Sequence, residues 1–484
     1  MSRKTYSRDA LGHTSFYYCF DQQTLIHANT LDGIFKQCNM QPKPNRQAMY
    51  DFIHYGTIAP EQTMYEGIYR LPPGHYLDIS DTNQIKVERY WDPANIKIDY
   101  TISFDDAVKK FRRLLTKSIK NAISKEEKTG CELSGGFDSS SIFCIASKID
   151  DSITGLVMDF DHPSCNEQQY VHAVKSKCSN NIIHHNCGHL DYKNRYNMKF
   201  NYDLSPHWPI WITFSMYAPL LETIQKEGIK TVLTGQFGDH LLAGRAQNLL
   251  GYLTRGKLLT FLQEWYMMPH KYAWMKRLLR RIADDKLSKS QKNFIKKILR
   301  RSIDSPHSKH IPSYLNYSST RTFASPFQKQ RVDAMTNPLQ IMFADSNFNK
   351  AVEEKYGIKY IHPYGEKEIV EFLLSLPPEF FYSHGNFRHF HAEAMKDILP
   401  QEVLKRRNKG EFSIILNQQI AAIDRKSLWQ NPNIVNLNIV KKELILKYEA
   451  MFITNRLKGY DRHQYWRMIN LEYWYRYNTF LDKS

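Results

Sequence analysis

Residues 131–147 read CELSGGFDSSSIFCIAS, and how that stretch is read decides the fold. Small residues fill its centre, "SGGFDSSS" (134–141), between apolar flanks. Such a run is either a surface turn or a loop shaped to hold the phosphates of a nucleotide. It follows a short apolar run, "GCEL" (130–133), and opens a helical pattern, which favours the loop. Ser134, Gly135 and Gly136 can then present backbone N–H groups to phosphate oxygens, because glycine lets the main chain approach closely. A helix starting near Asp138 adds its positive end. Asp138 itself opposes an anion unless a cation lies between them, so a magnesium ion bridging Asp138 and pyrophosphate is expected.

A second loop, "LTGQFGDHLLAG" (233–244), also follows a predicted strand, "KTVLTG" (230–235). Ligands bind at neighbouring C-terminal strand ends in open α/β sheets, so Asp239 is expected to share the magnesium with Asp138. Further short apolar runs, "ITGLVMDF" (153–160) and "NIIHH" (181–185), alternate with the helical patterns "NEQQYVHAVKSK" (166–177) and "YAPLLETIQKEG" (217–228). Strands alternating with helices predict an α/β fold with a parallel sheet covered on its faces.

Upstream, from Phe16 to Tyr90, β-type runs alternate with turns: "SFYYCF", "TLIHA", "GIYRLPPGHYLDIS" and "IKVERYW". This predicts a small, mainly β domain over residues 1–98. A helix begins after Ser103, an N-cap with Asp106 three residues on, and Ala107, Phe111, Leu114, Leu115 and Ile119 recur along it at helical spacing. The second domain is placed at 99–484, with a helical, basic, aromatic-rich C-terminal part beyond Gly251. There, eleven Lys or Arg residues between Lys276 and Arg301 interleave with apolar positions. They fit amphipathic helices with a solvated basic face, or a docking face for an anionic peptide or nucleic acid.

The 484-residue length exceeds one ordinary core, in keeping with two domains. A hydrophobic content of 42% and a mean hydropathy of −0.54 are those of a globular protein, and no apolar run is long enough to span a bilayer. The first residues, "MSRKTYSRDALGH", lack the apolar stretch of a signal peptide, so a cytoplasmic location is expected. Seven cysteines without a CxxC pair fit reduced thiols. The net charge of +17 permits anionic partners and selects none.

With both loops in view, the chain resembles the ATP-pyrophosphatase (PP-loop) domain of asparagine synthetases. The resemblance extends to "GIYRLPPGHYLDI" (67–79), to His184 and His185, to "HPYGEKEIVEFLLSLPPEF" (362–380) and to "LPQEVLKRRNKGEFS" (399–413). Two departures stand out. Residue 2 is serine where glutamine-dependent members carry a cysteine nucleophile, and "SRDALGHTSFYYCFDQQTLIHANTLDGIF" resembles a stretch that normally lies deep in the glutaminase domain. The N-terminal part is therefore expected to be a truncated, inactive glutaminase-like (Ntn) remnant. Among relatives without a working glutaminase, "HGNFRHFHAEAMKDILPQEVLKRRNKGEFS" (384–413) and the tail "YWRMINLEYWYRY" (465–477) are most similar to lasso-peptide cyclases.

The resemblance implies ATP and Mg2+ as cofactors. It places ATP on Ser134, Gly135, Gly136, Asp138, Ser139, Ser140, Leu156, Thr234 and Gly235, with Asp138 and Asp239 on the metal. It implies adenylation of a substrate carboxylate and attack by an amine of the same substrate. A precursor core peptide is the expected partner, with a leader-peptide protease beside it and no stable nucleic acid. Lys409 is implied to stabilise the acyl-transfer transition state. The general base is open, because the family's tyrosine position holds Gln236; Glu366 is a candidate for its acidic partner. The alternatives are a β-lactam synthetase-like or ammonia-dependent ligase of a small molecule, a degenerate pseudoenzyme, and a PP-loop protein acting on tRNA. "HHNCGH" (184–189) has zinc-ligand residue types, but consecutive strand residues face opposite ways, which argues against a metal. Tyr465, Met468, Leu471 and Tyr475 have the helical spacing of a core stripe.

Overall fold

In the computed structural model the described residues are 4–21, 24–38, 41–79, 85–187, 207–209, 214–268, 328–329, 331–332, 346–406 and 410–478. The N-terminal part forms two three-stranded antiparallel sheets. In one, β5 (His75–Ile79) lies between β1 (Lys4–Ser7) and β6 (Ile85–Arg89); in the other, β2 (Tyr17–Asp21) lies between β3 (Thr24–Ala28) and β4 (Ile68–Arg70). Two helices complete it, and each start is capped by a side chain. Thr30 accepts the Gly33 N–H at α1 (Leu31–Gln37), and Asn45 accepts that of Ala48 at α2 (Arg46–Tyr55).

Cys19 and Cys38, 19 residues apart in sequence, lie close together with their Cα atoms 7.9 Å apart, wider than a disulfide spans. Strand β2 and the end of α1 fold onto one core and bring the pair together, which cysteine spacing alone does not show. The other five cysteines are buried.

The N-terminal sheets share their core with the end of the chain. Tyr17, Phe52 and Tyr65 pack in one cluster with Trp466 and Trp474 of the last helix, Gly459–Asn478. Tyr465, Met468 and Leu471 are fully buried there and Tyr475 packs partly buried against them, so most of the stripe is core as its spacing predicts. Among the described residues no helix is long and apolar enough to cross a membrane.

Helix α3 (Phe104–Ala122) starts as expected, with Ser103 accepting the Asp106 N–H, and buries Ala107, Phe111, Leu115 and Ile119. It leads into a five-stranded parallel sheet of order β11-β10-β7-β8-β9. These strands are β7 (Lys128–Glu132), β8 (Thr154–Asp159), β9 (Ile182–Asn186), β10 (Ile229–Leu233) and β11 (Lys359–Ile361). Four were legible as apolar runs; β11, three residues long, was not. The chain winds from β7 toward β9 on one side and from β10 toward β11 on the other. The switch point therefore lies between β7 and β10, whose following loops are the two singled out from the sequence.

Candidate active site

The loop after β7 feeds α4 (Phe137–Ile149), whose N-cap Gly136 offers no side chain to the first-turn N–H groups. That leaves those donors for an anion. Gly135 has φ +68, and a Cβ there would lie 2.6 Å from Cβ of Tyr170, so only glycine fits. Ser139 Oγ accepts the Ser134 N–H at 3.2 Å and sits 3.0 Å from Ser134 Oγ, which holds the loop closed.

The loop after β10 lies directly against it. A Cβ on Gly235 would come within 2.7 Å of the Ser139 nitrogen, and one on Gly238 would overlap the Asp138 carboxyl. Between them Phe237 has φ 72, a left-handed conformation that is strained for a bulky side chain. The two glycines thus allow the loops to bring Asp138 and Asp239 to one point.

A single guanidinium fills that point. Arg388 donates to both oxygens of Asp138 at 2.8 and 3.2 Å and also pairs with Asp239. Behind it, His391 Nδ1 lies 3.5 Å from Asp138 Oδ1. Its Nε2 lies 3.2 Å from Ser141 Oγ and 3.3 Å from the Tyr364 hydroxyl. Burial first, then the Arg388 charge, hold His391 well below the ordinary histidine range, so its ring is neutral.

Asp138, Asp239 and Arg388 line a cleft of about 390 Å3 with Glu132, Met158, Glu167, Gln236, Arg406 and Phe412 among its walls. Glu167 ties the far wall together: it pairs with Arg406 and accepts the Gly410 N–H at 3.3 Å. Arg406 in turn donates to the Gly135 carbonyl at 3.0 Å. Lys409 itself lies outside the described residues, between these two anchors in sequence.

The structure gathers Ser134, Gly136, Asp138, Ser139, Gly235 and Asp239 around the cleft. Others fall elsewhere. Ser140 is fully buried and its Oγ has no partner among the described residues. Thr234 is buried with its hydroxyl 2.7 Å from His362 Nδ1, so it shapes the loop rather than lining the cleft. Leu156 is 3% exposed in the core; Met158, two residues on along the same face, reaches the cleft because it is nearer the strand's C-terminal end. Glu366 lines a different cavity, with His13, Asn349 and His362. Sequence reading missed Arg388, His391, Glu132 and Glu167, since no local motif marks them and they meet the loops only through the tertiary fold. Of the zinc candidates, His184 bonds Asp159 at 2.8 Å, and His189 lies outside the described residues. No metal-holding group of three His, Cys, Asp or Glu occurs among the described residues. The basic stretch 276–301 also lies outside them.

The donor set fits Mg2+ and a nucleotide. Two hard carboxylates converge on one positive charge, which suits an oxygen-ligated cation, and the uncapped start of α4 suits a phosphate.

The cleft thus lies at the switch point of a parallel α/β sheet, beside an uncapped helix N-terminus. Residues 110–476 match the asparagine synthase family, and residues 2–91 match the glutamine amidotransferase domain. The chain belongs to the asparagine synthase family. Over 255 residues it is 24% identical to the putative asparagine synthetase (glutamine-hydrolyzing) 2 of Methanocaldococcus jannaschii, covering 51% of this chain and 48% of that protein. It is 27% identical over 142 residues to asparagine synthetase (glutamine-hydrolyzing) 3 of Bacillus subtilis, covering 29% and 23%. It is 30% identical over 140 residues to the amidase chyE of Penicillium rubens, covering 28% and 20%. The chain spans about half the length of the archaeal relative.

Proposed function

We propose that this protein is an ATP-dependent amide-forming synthetase that adenylates a substrate carboxylate, releases pyrophosphate and lets an amine displace AMP. The observation that carries the reading is the meeting of Asp138 and Asp239 on one cationic group beside the uncapped N-terminus of α4. Magnesium, held by these two carboxylates, would neutralise charge on the departing pyrophosphate. The chain's own residues do the rest. The N–H groups at the start of α4 receive phosphate oxygens, and the Ser134–Ser139 pair fixes the loop that presents them. Arg388 holds the two carboxylates together and charge-balanced before the nucleotide arrives. Lys409, by family resemblance, stabilises charge as the amine attacks.

The proposed substrate is a peptide whose N-terminal amine closes a ring on an internal Asp or Glu side chain, as in lasso-peptide cyclases. The likeness of residues 384–413 and of the tail 465–477 supports this. Incubation with ATP, Mg2+ and synthetic peptides bearing a free N-terminus and an internal Asp or Glu tests it. The expected product has lost one water by mass. AMP formation with small carboxylates and none with peptides would move the substrate to a small molecule.

A further inference from the structure

Amide formation needs a group to take the proton from the attacking amine, and neither residue considered from the sequence supplies one. Gln236 lines the cleft but its amide is not a base, and Glu366 faces the other cavity. Four carboxylates line the cleft among the described residues: Glu132, Asp138, Glu167 and Asp239. Asp138 and Asp239 are held by Arg388, and Glu167 by Arg406 and the Gly410 N–H. Glu132 alone accepts no hydrogen bond and pairs with no cation from a described side chain.

Its position follows from the strand. Glu132 is the last residue of β7, between Cys131 and Leu133, which are buried at 0% and 2%. Alternation therefore turns Glu132 away from their core, and it opens on the cleft beside Met158. A carboxylate set among buried strand residues without a counter-charge is costly to the fold, which favours a working role over a structural one.

We propose that Glu132 is the general base of the amide-forming step. This rests on the synthetase reading above. The amine nitrogen bonds to the acyl carbon of the adenylate, the bond from that carbon to the phosphate oxygen breaks, and AMP leaves as the anion. The proton that the nitrogen can no longer carry passes to the Glu132 carboxylate and from there to solvent. Desolvation pushes Glu132 up to about 7, close to the pH at which a base is most effective. The charged groups facing it across the cleft are Asp138, Asp239, Glu167, Arg388 and Arg406, each already matched with an opposite charge or an N–H donor.

The test compares Glu132→Gln with wild type in two amine reactions on the same activated peptide. One is closure by the peptide's own N-terminal amine. The other is trapping by added hydroxylamine, which is unprotonated at neutral pH and needs no base. Closure should fall at least about 100-fold, the usual contribution of a positioned base. Hydroxamate formation should fall less than about threefold. In wild type, closure should rise with pH through about 7. That limb should vanish in Glu132→Gln, and Glu132→Asp should restore part of it. Closure at the wild-type rate in Glu132→Gln, or equal losses in both reactions, would overturn the assignment. Wild type that makes no AMP with any peptide, with or without hydroxylamine, would instead overturn the synthetase reading.

Discussion

Replacing Arg388 with methionine isolates the charge at the centre of the site, because methionine keeps most of the apolar stem and removes the guanidinium. The Arg388 side chain is 6% exposed, Asp138 14% and Asp239 41%. Breaking a buried pair by deleting one partner costs about 3–5 kcal/mol, because a charge is left uncompensated. Asp239 is open enough for water to screen its share, so about 2–4 kcal/mol is the expected loss for Arg388→Met. The two carboxylates then face each other with nothing between them, which is a vacant cation site. Magnesium at a hundred times its dissociation constant would return about 2.7 kcal/mol, nearly the whole deficit. The assay is the denaturation midpoint of wild type and variant with MgCl2 or with NaCl at matched ionic strength. Magnesium should raise the Arg388→Met midpoint and barely move wild type, where Arg388 already occupies the point. Adding Asp239→Asn should abolish the rescue. Equal magnesium shifts in wild type and Arg388→Met would show that Arg388 does not fill a cation site, as would a variant as stable as wild type without the metal.

Three further outcomes follow from the same geometry. Glu132 is raised from 4.5 to about 7, so the folded state favours its protonated form. The stability this form gives is full below pH 4.5 and is lost as pH rises through about 7. Glu132→Gln should therefore match wild type in acid and exceed it by about 1–2 kcal/mol at pH 8, after allowing for the cleft's opening to water; a gap that is constant with pH would contradict this. Gly235→Ala should lower stability by about 1–3 kcal/mol and suppress AMP formation, because its Cβ meets the Ser139 nitrogen at 2.7 Å. Full activity in that variant would show that the loops need not touch. Glu167→Gln loosens Arg406 and Gly410, the residues flanking 407–409, and should reduce amide formation about tenfold with KM for ATP changed less than about twofold. A large KM change would place Glu167 on the nucleotide instead.

What the sequence made legible was local. Apolar runs marked β7, β8, β9 and β10, and the glycines of 134–136 and 235–238 marked the loops between strand and helix. Asp138 and Asp239 could be paired because both follow strands that a parallel sheet brings side by side. Depth along a strand was not legible, which is why Leu156 was expected where Met158 lies: the pleat puts both on one face and says nothing about which reaches the rim. Arg388 and His391 sit some 250 residues from Asp138 in sequence and have no spacing rule to announce them. Glu366 was assigned by its place in a motif, yet the turn from Pro363 to Gly365 directs it to the cavity shared with His13. The approach of Cys19 to Cys38 depends likewise on how β2 and α1 meet.

Adenylation requires that ATP be cleaved between the α- and β-phosphates. The most direct measurement is the identity of the nucleotide produced when the purified protein is incubated with ATP, Mg2+ and the peptide panel. AMP and pyrophosphate should appear in equal amounts, and neither should form with Asp138→Ala. ADP and inorganic phosphate, or AMP formation that survives Asp138→Ala, would contradict adenylation at this cleft.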